Sequence, residues 1–285
     1  MAADRRLRTL RRLFRLWRIY AYLDLLWITR DRWFCLTCCL ADAVESVASV
    51  SATLLLASRF EGIGRWSLWQ VVFMLGYGTV VSGVITAFFQ YNVMHISRRL
   101  GRGQLDHILI QPQPIWMALL TEGFVPFSSS AILLPGLGLM AWAVARLSLA
   151  VSLGWLSLAA LNLAASSIVV LSFSFLWGSL AFWAPRAAEE ISSSAVDLTQ
   201  HLKVFPLDGL AWPLQGGLLT AVPVGLVAWF PCRALLGLDQ RSWTALATPL
   251  ASMLLALVAM WVFRRGRVHY GRTGSQRYSS WGHRS

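Results

Sequence analysis

Of the chain's 285 residues, 56% are hydrophobic and only 13% are charged; soluble proteins carry roughly 25% charged residues, so lipid is the expected solvent. The formal charge is +12, but the cations crowd the two ends of the chain beside apolar runs. That distribution speaks for membrane topology and attraction to anionic lipid, not for nucleic acid.

The chain in order reads as follows. Through residues 1–32, Arg5, Arg6, Arg8, Arg11, Arg12, Arg15 and Arg18 alternate with Leu7, Leu10, Leu13, Phe14, Trp17 and Tyr20. Spacings of three and four place the two classes on opposite faces of an amphipathic helix lying in the headgroup layer. No compact apolar core with a small-residue cleavage site marks a signal peptide, and Asp4, Asp24 and the lack of serine weigh against a mitochondrial transit peptide. A first span is expected at 33–57, holding Asp42 and Glu45, and an uncharged second at 67–93. Within the second, Gly78/Ser82 and Gly83/Ala87 recur at the four-residue spacing that lets helices approach closely. A polar interruption follows at 98–114, RRLGRGQLDHILIQPQP. The third span is expected at 116–145, with Glu122 inside it.

From 148 to 185 no charge occurs. As a helix this run is about 55 Å long against a hydrocarbon core of roughly 30 Å, so one span plus a broken or interfacial piece is expected. Residues 186–208 are polar again. An uncharged run at 209–232, broken by Pro213, Pro223 and Pro231, reads as the fifth span, and 243–263 as the last, before a basic tail. Six spans put both termini on one side. With that side cytoplasmic, twenty basic residues lie inside and five outside, as the positive-inside rule requires. The expected organisation is a cytoplasmic amphipathic segment at 1–32 and a six-span domain at 33–263. Cytoplasmic loops are expected at 94–115 and 184–208, and a basic cytoplasmic tail at 264–285. Tryptophans 66, 69, 116, 142, 155, 183, 212, 229 and 243 fall near span ends, as an aromatic belt does.

Sites for chemistry are few. The single lysine, Lys203, follows Leu202, so no Walker A motif exists to hold nucleotide phosphate. Neither a His-Glu-x-x-His pair nor a Gly-x-Ser-x-Gly elbow occurs. Cys35, Cys38 and Cys39 lack a neighbouring histidine and Cys232 is remote, so no metal site is expected. The histidines at 95, 107, 201, 269 and 283 are scattered through the polar segments. The sharpest signal is intramembrane acid, because a carboxylate at bilayer depth costs at least about 2.5 kcal/mol. Asp42 and Glu45 share a helix face with Ser46 and Ser49. They either line a polar path or pair with arginines near the cytoplasmic surface. Glu122 is expected to lie shallow, within reach of the loop arginines. The three acids also allow an integral membrane enzyme acting on lipid, provided that they converge.

Four stretches together resemble one family. Arg98-x-x-x-x-Gly103-x-Leu105-Asp106-x-x-Leu109-x-x-Pro112 is similar to the loop after the second span in permeases of type-2 ABC exporters. Ala181-Phe182-Trp183, Val204-Phe205-Pro206 and the run from Ala221-Val222-Pro223 through Trp229-Phe230-Pro231 to Leu236-Gly237 fit the same six-span branch, as does the basic tail from Arg264 to Tyr270. Gly271-Arg272 depart from the acidic and serine residues usual there. The resemblance spans roughly residues 20–275.

It implies an all-α integral membrane protein of a prokaryotic cytoplasmic (inner) membrane, not itself an enzyme. A cytoplasmic coupling helix lies between spans two and three. Two copies of a separate ABC ATPase bind the ATP and magnesium, so this chain needs no cofactor. A second permease, identical or related, completes a dimer that exports a lipid-like, peptide or drug-like substrate. Arg98, Leu100, Gly101, Gly103, Leu105, Asp106, Leu109 and Pro112 form the ATPase-coupling site. Leu100, Leu105, Ile108 and Leu109 supply its apolar face.

Overall fold

The structure, a computed structural model, describes residues 2–60, 62–89, 96–101, 110, 114–208, 210–239 and 243–273. The amphipathic stretch forms helix α1 (Ala2–Arg30). Asp31 ends it and caps the next helix, its carboxylate accepting from the Phe34 N–H at 3.2 Å, so that α2 (Arg32–Arg59) starts at once. Two short antiparallel strands, β1 (Gly62–Ile63) and β2 (Trp66–Ser67), turn the chain through Gly64, whose φ of +63° suits glycine. They lead into α3 (Leu68–Phe89). Then come α4 (Ile96–Gly101), α5 (Ile115–Thr121), α6 (Ser130–Arg146) and α7 (Leu153–Gly178), the last prolonged by a 3₁₀ turn, Ser179–Phe182. The remainder is α8 (Pro185–Leu202), α9 (Trp212–Thr220), α10 (Trp229–Leu235) and α11 (Thr244–Thr273).

Helix α3 is the centre of the bundle: 78% of its apolar stretch is buried, against 13% for α2 and 17% for α11. It packs antiparallel on α6, backbone nearly touching backbone. A Cβ added to Gly76 would lie 2.6 Å from the Met140 nitrogen, and one added to Gly83 would lie 2.6 Å from Leu133. Of the small residues spaced four apart in α3, Gly83 serves this close approach together with Gly76, while Gly78 faces Ala228 and Lys203 instead. On its other side α3 is tied to α7 by Tyr77 Oη and Ser166 Oγ, 2.9 Å apart in the core.

Among the described residues, four helices are by length and apolarity able to cross a bilayer: α2, α3, α7 with its 3₁₀ turn, and α11. The α9–α10 pair, bent by 71°, would be a fifth if counted as one span. Packing directions give a different account of that pair. Helices α7 and α11 run parallel: Asn162 Nδ2 donates to the Ala245 carbonyl near their starts, and Gly266 abuts Phe182 near their ends. An odd number of passes must therefore lie between them. Helix α8 makes one, antiparallel to α3. Glu189 pairs with Arg98 just beyond the end of α3, Gln200 meets Ser82 within it, and Asp208 meets Trp66 just before it. The α9–α10 segment begins at Asp208 and returns to it, since Trp229 and Arg233 both donate to that carboxylate. Its tip reaches inward to Ala228, which lies against Gly78 midway along α3.

Two expected segments lie in the bundle in other ways than hydropathy alone conveys. The stretch 184–208, read as a cytoplasmic loop, runs along the bundle beside α3, and 209–232, read as a span, holds a pair of helices bent by 71° that is tied to Asp208 at both of its ends. The reason is amphipathicity. Helix α8 buries small residues, Ala188, Ser192 and Thr199, and exposes Glu190, Ser193, Ser194, Asp197 and His201, so its apolar and polar positions cancel in any average. Lys203, counted among the cytoplasmic cations, moves into the bundle with it.

The third expected span is also broken. Between α5 and α6 the chain turns through Gly123 at φ +91° and Pro126, which has no N–H to donate. Asp24 of α1, itself buried, closes the gap by accepting from the Phe127 and Ser128 N–H groups at 2.8 and 3.1 Å and from the Ser128 hydroxyl. Taken by direction, α2, α3, α5–α6, α7, α8 and α11 alternate along the bundle. Trp17 of α1 packs on Phe88 and Phe124, and Tyr270 of α11 on Phe182, which puts α1 and the end of α11 at the end that holds α4.

Candidate functional site

Three polar assemblies stand out in this apolar bundle, at the α4 end, at mid-depth and at the β-strand end. At the first, α4 is held by its own protein. Ile96 and Leu100, 0% and 2% exposed, pack with Ala118, Phe182, Ala188 and Tyr270. Withdrawing two such side chains from water is worth about 1.5–3 kcal/mol each. Leu100, expected on the partner-facing side, therefore points inward and acts as an anchor. Gly101 closes the helix, and exposed Arg98 donates to Glu189 of α8 at 3.0 Å. With both groups partly in solvent that pair adds at most about 1 kcal/mol, but it fixes which helix α4 touches. Gly103, Leu105, Asp106, Ile108, Leu109 and Pro112 lie outside the described residues.

Gly178 is what lets α4 sit so close to α7. A Cβ there would fall 2.2 Å from Ile96 Cγ2. Gly178→Val is expected to lever α4 off the bundle and to lower stability by about 1–3 kcal/mol. A melting curve in detergent measures this, and a wild-type midpoint would show that α4 is not held there.

At mid-depth, half-buried Lys203 donates to Ser82 Oγ and Gln200 Oε1, and its Cγ lies 3.9 Å from where a Gly78 Cβ would be. Among the described residues its partners are neutral, a hydroxyl and an amide oxygen within the bundle. The signal for it was available: it is the one lysine among 25 basic residues.

At the β-strand end, Asp208 accepts from Trp229 Nε1 at 2.5 Å, from Arg233 Nη1 at 2.9 Å and from Trp66 Nε1. Arg233 also donates to Asp239, Nε at 3.2 Å, and its guanidinium lies 4.9 Å above the Trp229 ring. All three charged side chains are at least three-quarters withdrawn from solvent. One carboxylate thus joins the entry to α3, the end of the α8 pass and the returning arm of the hairpin.

Of the expected intramembrane acids, Glu45 and Glu122 do not share a site. Glu45 is exposed on α2, about 20 Å along from its start. Glu122 is half-buried at the α5–α6 break, at the α4 end. The side chain of Asp42 lies outside the described residues. Acid–base catalysis by these groups would require them to converge, and Glu45 and Glu122 occupy different depths. Cys35 and Cys39 sulfurs approach to 3.9 Å along one helix face, and among the described residues no group of three or more His, Cys, Asp or Glu gathers to hold a metal.

Residues 44–274 match the family described as ABC-2 family transporter protein. No curated protein and no solved structure matches the chain.

Proposed function

This chain belongs to the ABC-2 transporter family and is a membrane permease of an ABC transporter, and from that premise we propose that it is the subunit an ATPase drives to export a substrate. Two copies of a separate ATPase bind ATP and magnesium and dock at residues 98–112. Arg98 and Gly101 open this coupling site, and Gly103, Leu105, Asp106, Leu109 and Pro112 complete it. The α4 end faces the cytoplasm of a prokaryotic cell and carries 1–32, the loop 94–115 and the tail 264–285. A second permease, identical or related, completes the path.

The observation that carries this reading is the seating of α4. A force applied beyond Gly101 acts through Ile96 and Leu100 on the 3₁₀ turn after α7, on α8 and on α11 at once. Helix α8 is the member with a polar outer face, Glu190, Ser193, Ser194, Asp197 and His201. Hydrocarbon would penalise an aspartate there by at least about 2.5 kcal/mol, so this face borders the second permease or the substrate path. Tilting α8 exposes or covers that face, which is how nucleotide turnover in one chain opens a path in another.

The test is co-purification in mild detergent. Leu105→Glu or Leu109→Glu is expected to remove the ATPase while the permease still folds. A transporter that keeps its ATPase through both substitutions, with no cross-link from 98–112 to it, contradicts the proposal.

A further inference from the structure

A groove of about 590 Å³ opens at the α4 end, lined by Trp183, Trp261, Arg264, Arg265, His269 and Arg272. It is ordered by ring contacts. Trp183 stacks on His269 at 5.8 Å, and the Arg265 guanidinium lies 5.1 Å above the Trp261 ring. Among the described residues no ion pair joins its three arginines to a carboxylate. Cations so gathered, with no acid beside them, suit a phosphate.

What lies along the same helix identifies the phosphate. Leu250, Leu254, Leu257 and Trp261 follow one another at spacings of four, three and four on α11, and each is more than half exposed. The stripe continues at the same spacings through Arg265, Val268 and Arg272. One face of one helix is therefore apolar for several turns and then cationic and aromatic for three. Free phosphate has no use for the apolar part, and neither does an acidic protein surface. We infer that the groove holds one anionic phospholipid, its phosphate among Arg264, Arg265 and Arg272 and its acyl chains along Leu250, Leu254 and Leu257. The site depends on α11 crossing the membrane and not on how the permease is powered, so it stands or falls separately from the ATPase docking above.

The experiment is native mass spectrometry of the purified transporter in mild detergent, with phosphatidylglycerol and phosphatidylcholine of the same chains as probes. The glycerol lipid is expected to be retained at about tenfold lower concentration than the choline lipid, since each nearby basic residue favours anionic lipid. The combined variant Arg264→Gln, Arg265→Gln, Arg272→Gln loses that preference. Val268 also lines the groove, and Val268→Trp fills it without changing charge and lowers retention as well, which keeps the test open if the triple variant does not fold. Arg11→Gln, Arg12→Gln, Arg15→Gln removes as many charges from α1 and leaves the preference intact. Unchanged retention in the groove variants overturns the inference. So does an equal loss on removing the α1 charges, or displacement of the lipid by millimolar inorganic phosphate.

Discussion

Asp208→Ala is expected to cost about 3–5 kcal/mol of stability, the range for breaking a buried charged pair by removing one partner. Two indole N–H groups and one guanidinium N–H lose their acceptor together, and each orphaned donor is worth about 1–3 kcal/mol when desolvated. These losses do not add, because Arg233 retains Asp239. Asp208→Asn keeps a carbonyl acceptor for both indoles, which share one carboxylate oxygen, but turns an amide N–H toward Arg233, and should lose about half as much. The measurement is the loss of monodisperse protein on heating in detergent, followed for wild type and both variants. Transport should fail in the alanine variant even at a temperature where it stays folded, because the α9–α10 hairpin then has no fixed end. If Asp208→Ala melts with wild type, the cluster is solvated and the hairpin is held by apolar packing alone.

Lys203→Met is expected to separate stability from activity. A lysine at bilayer depth costs at least about 2.5 kcal/mol on insertion scales. Its replacement by an unbranched apolar chain leaves Ser82 to donate to Gln200, as it already does at 3.2 Å. Resistance to unfolding in detergent should therefore rise, by about 1 kcal/mol or more. Transport should fall at least about tenfold, because an ionisable side chain that destabilises the bundle persists where substrate or a moving helix needs its charge. The paired readout is unfolding in mixed detergent and substrate efflux normalised to membrane-inserted protein. A loss of stability matched by a proportional loss of efflux would make Lys203 a strut between α3 and α8 and nothing more.

Much of this architecture was legible beforehand. The arginine spacing from Arg5 to Arg18 specified α1 by its helical period, and the unbroken uncharged run around Tyr77 specified α3 by length and apolarity. What hydropathy could not show was any element whose partner is another part of the chain. Helix α8 buries small residues on one side and exposes acids on the other. It reads as a loop until Ser82 and Arg98 are placed beside Gln200 and Glu189. The α9–α10 hairpin makes the opposite error: it is apolar enough to pass for a span, but Asp208 draws its two arms to one end. Within the coupling segment the residue types were legible and their orientation was not. Four leucines or isoleucines near Gly101 suggested a docking face. Leu100 turned out to be committed inward by Phe182 and Tyr270, residues from two distant helices.

The clamp on Asp208 also bears on how the protein is made. Trp66 and Asp208 are 142 positions apart, so the contact cannot form until most of the chain has been synthesised. The hairpin that closes on it comes later still, and it carries bends and prolines that favour no independent insertion. During synthesis the early helices must wait in the bilayer with the Trp66 indole unanswered, while α8, too polar to enter lipid alone, is admitted against the waiting face of α3. The order of assembly is thereby set by chemistry at one carboxylate: α8 first, the hairpin second, α11 last. A ribosome halted just before residue 208 should leave a nascent chain that is inserted but still open to protease at the β1–β2 turn.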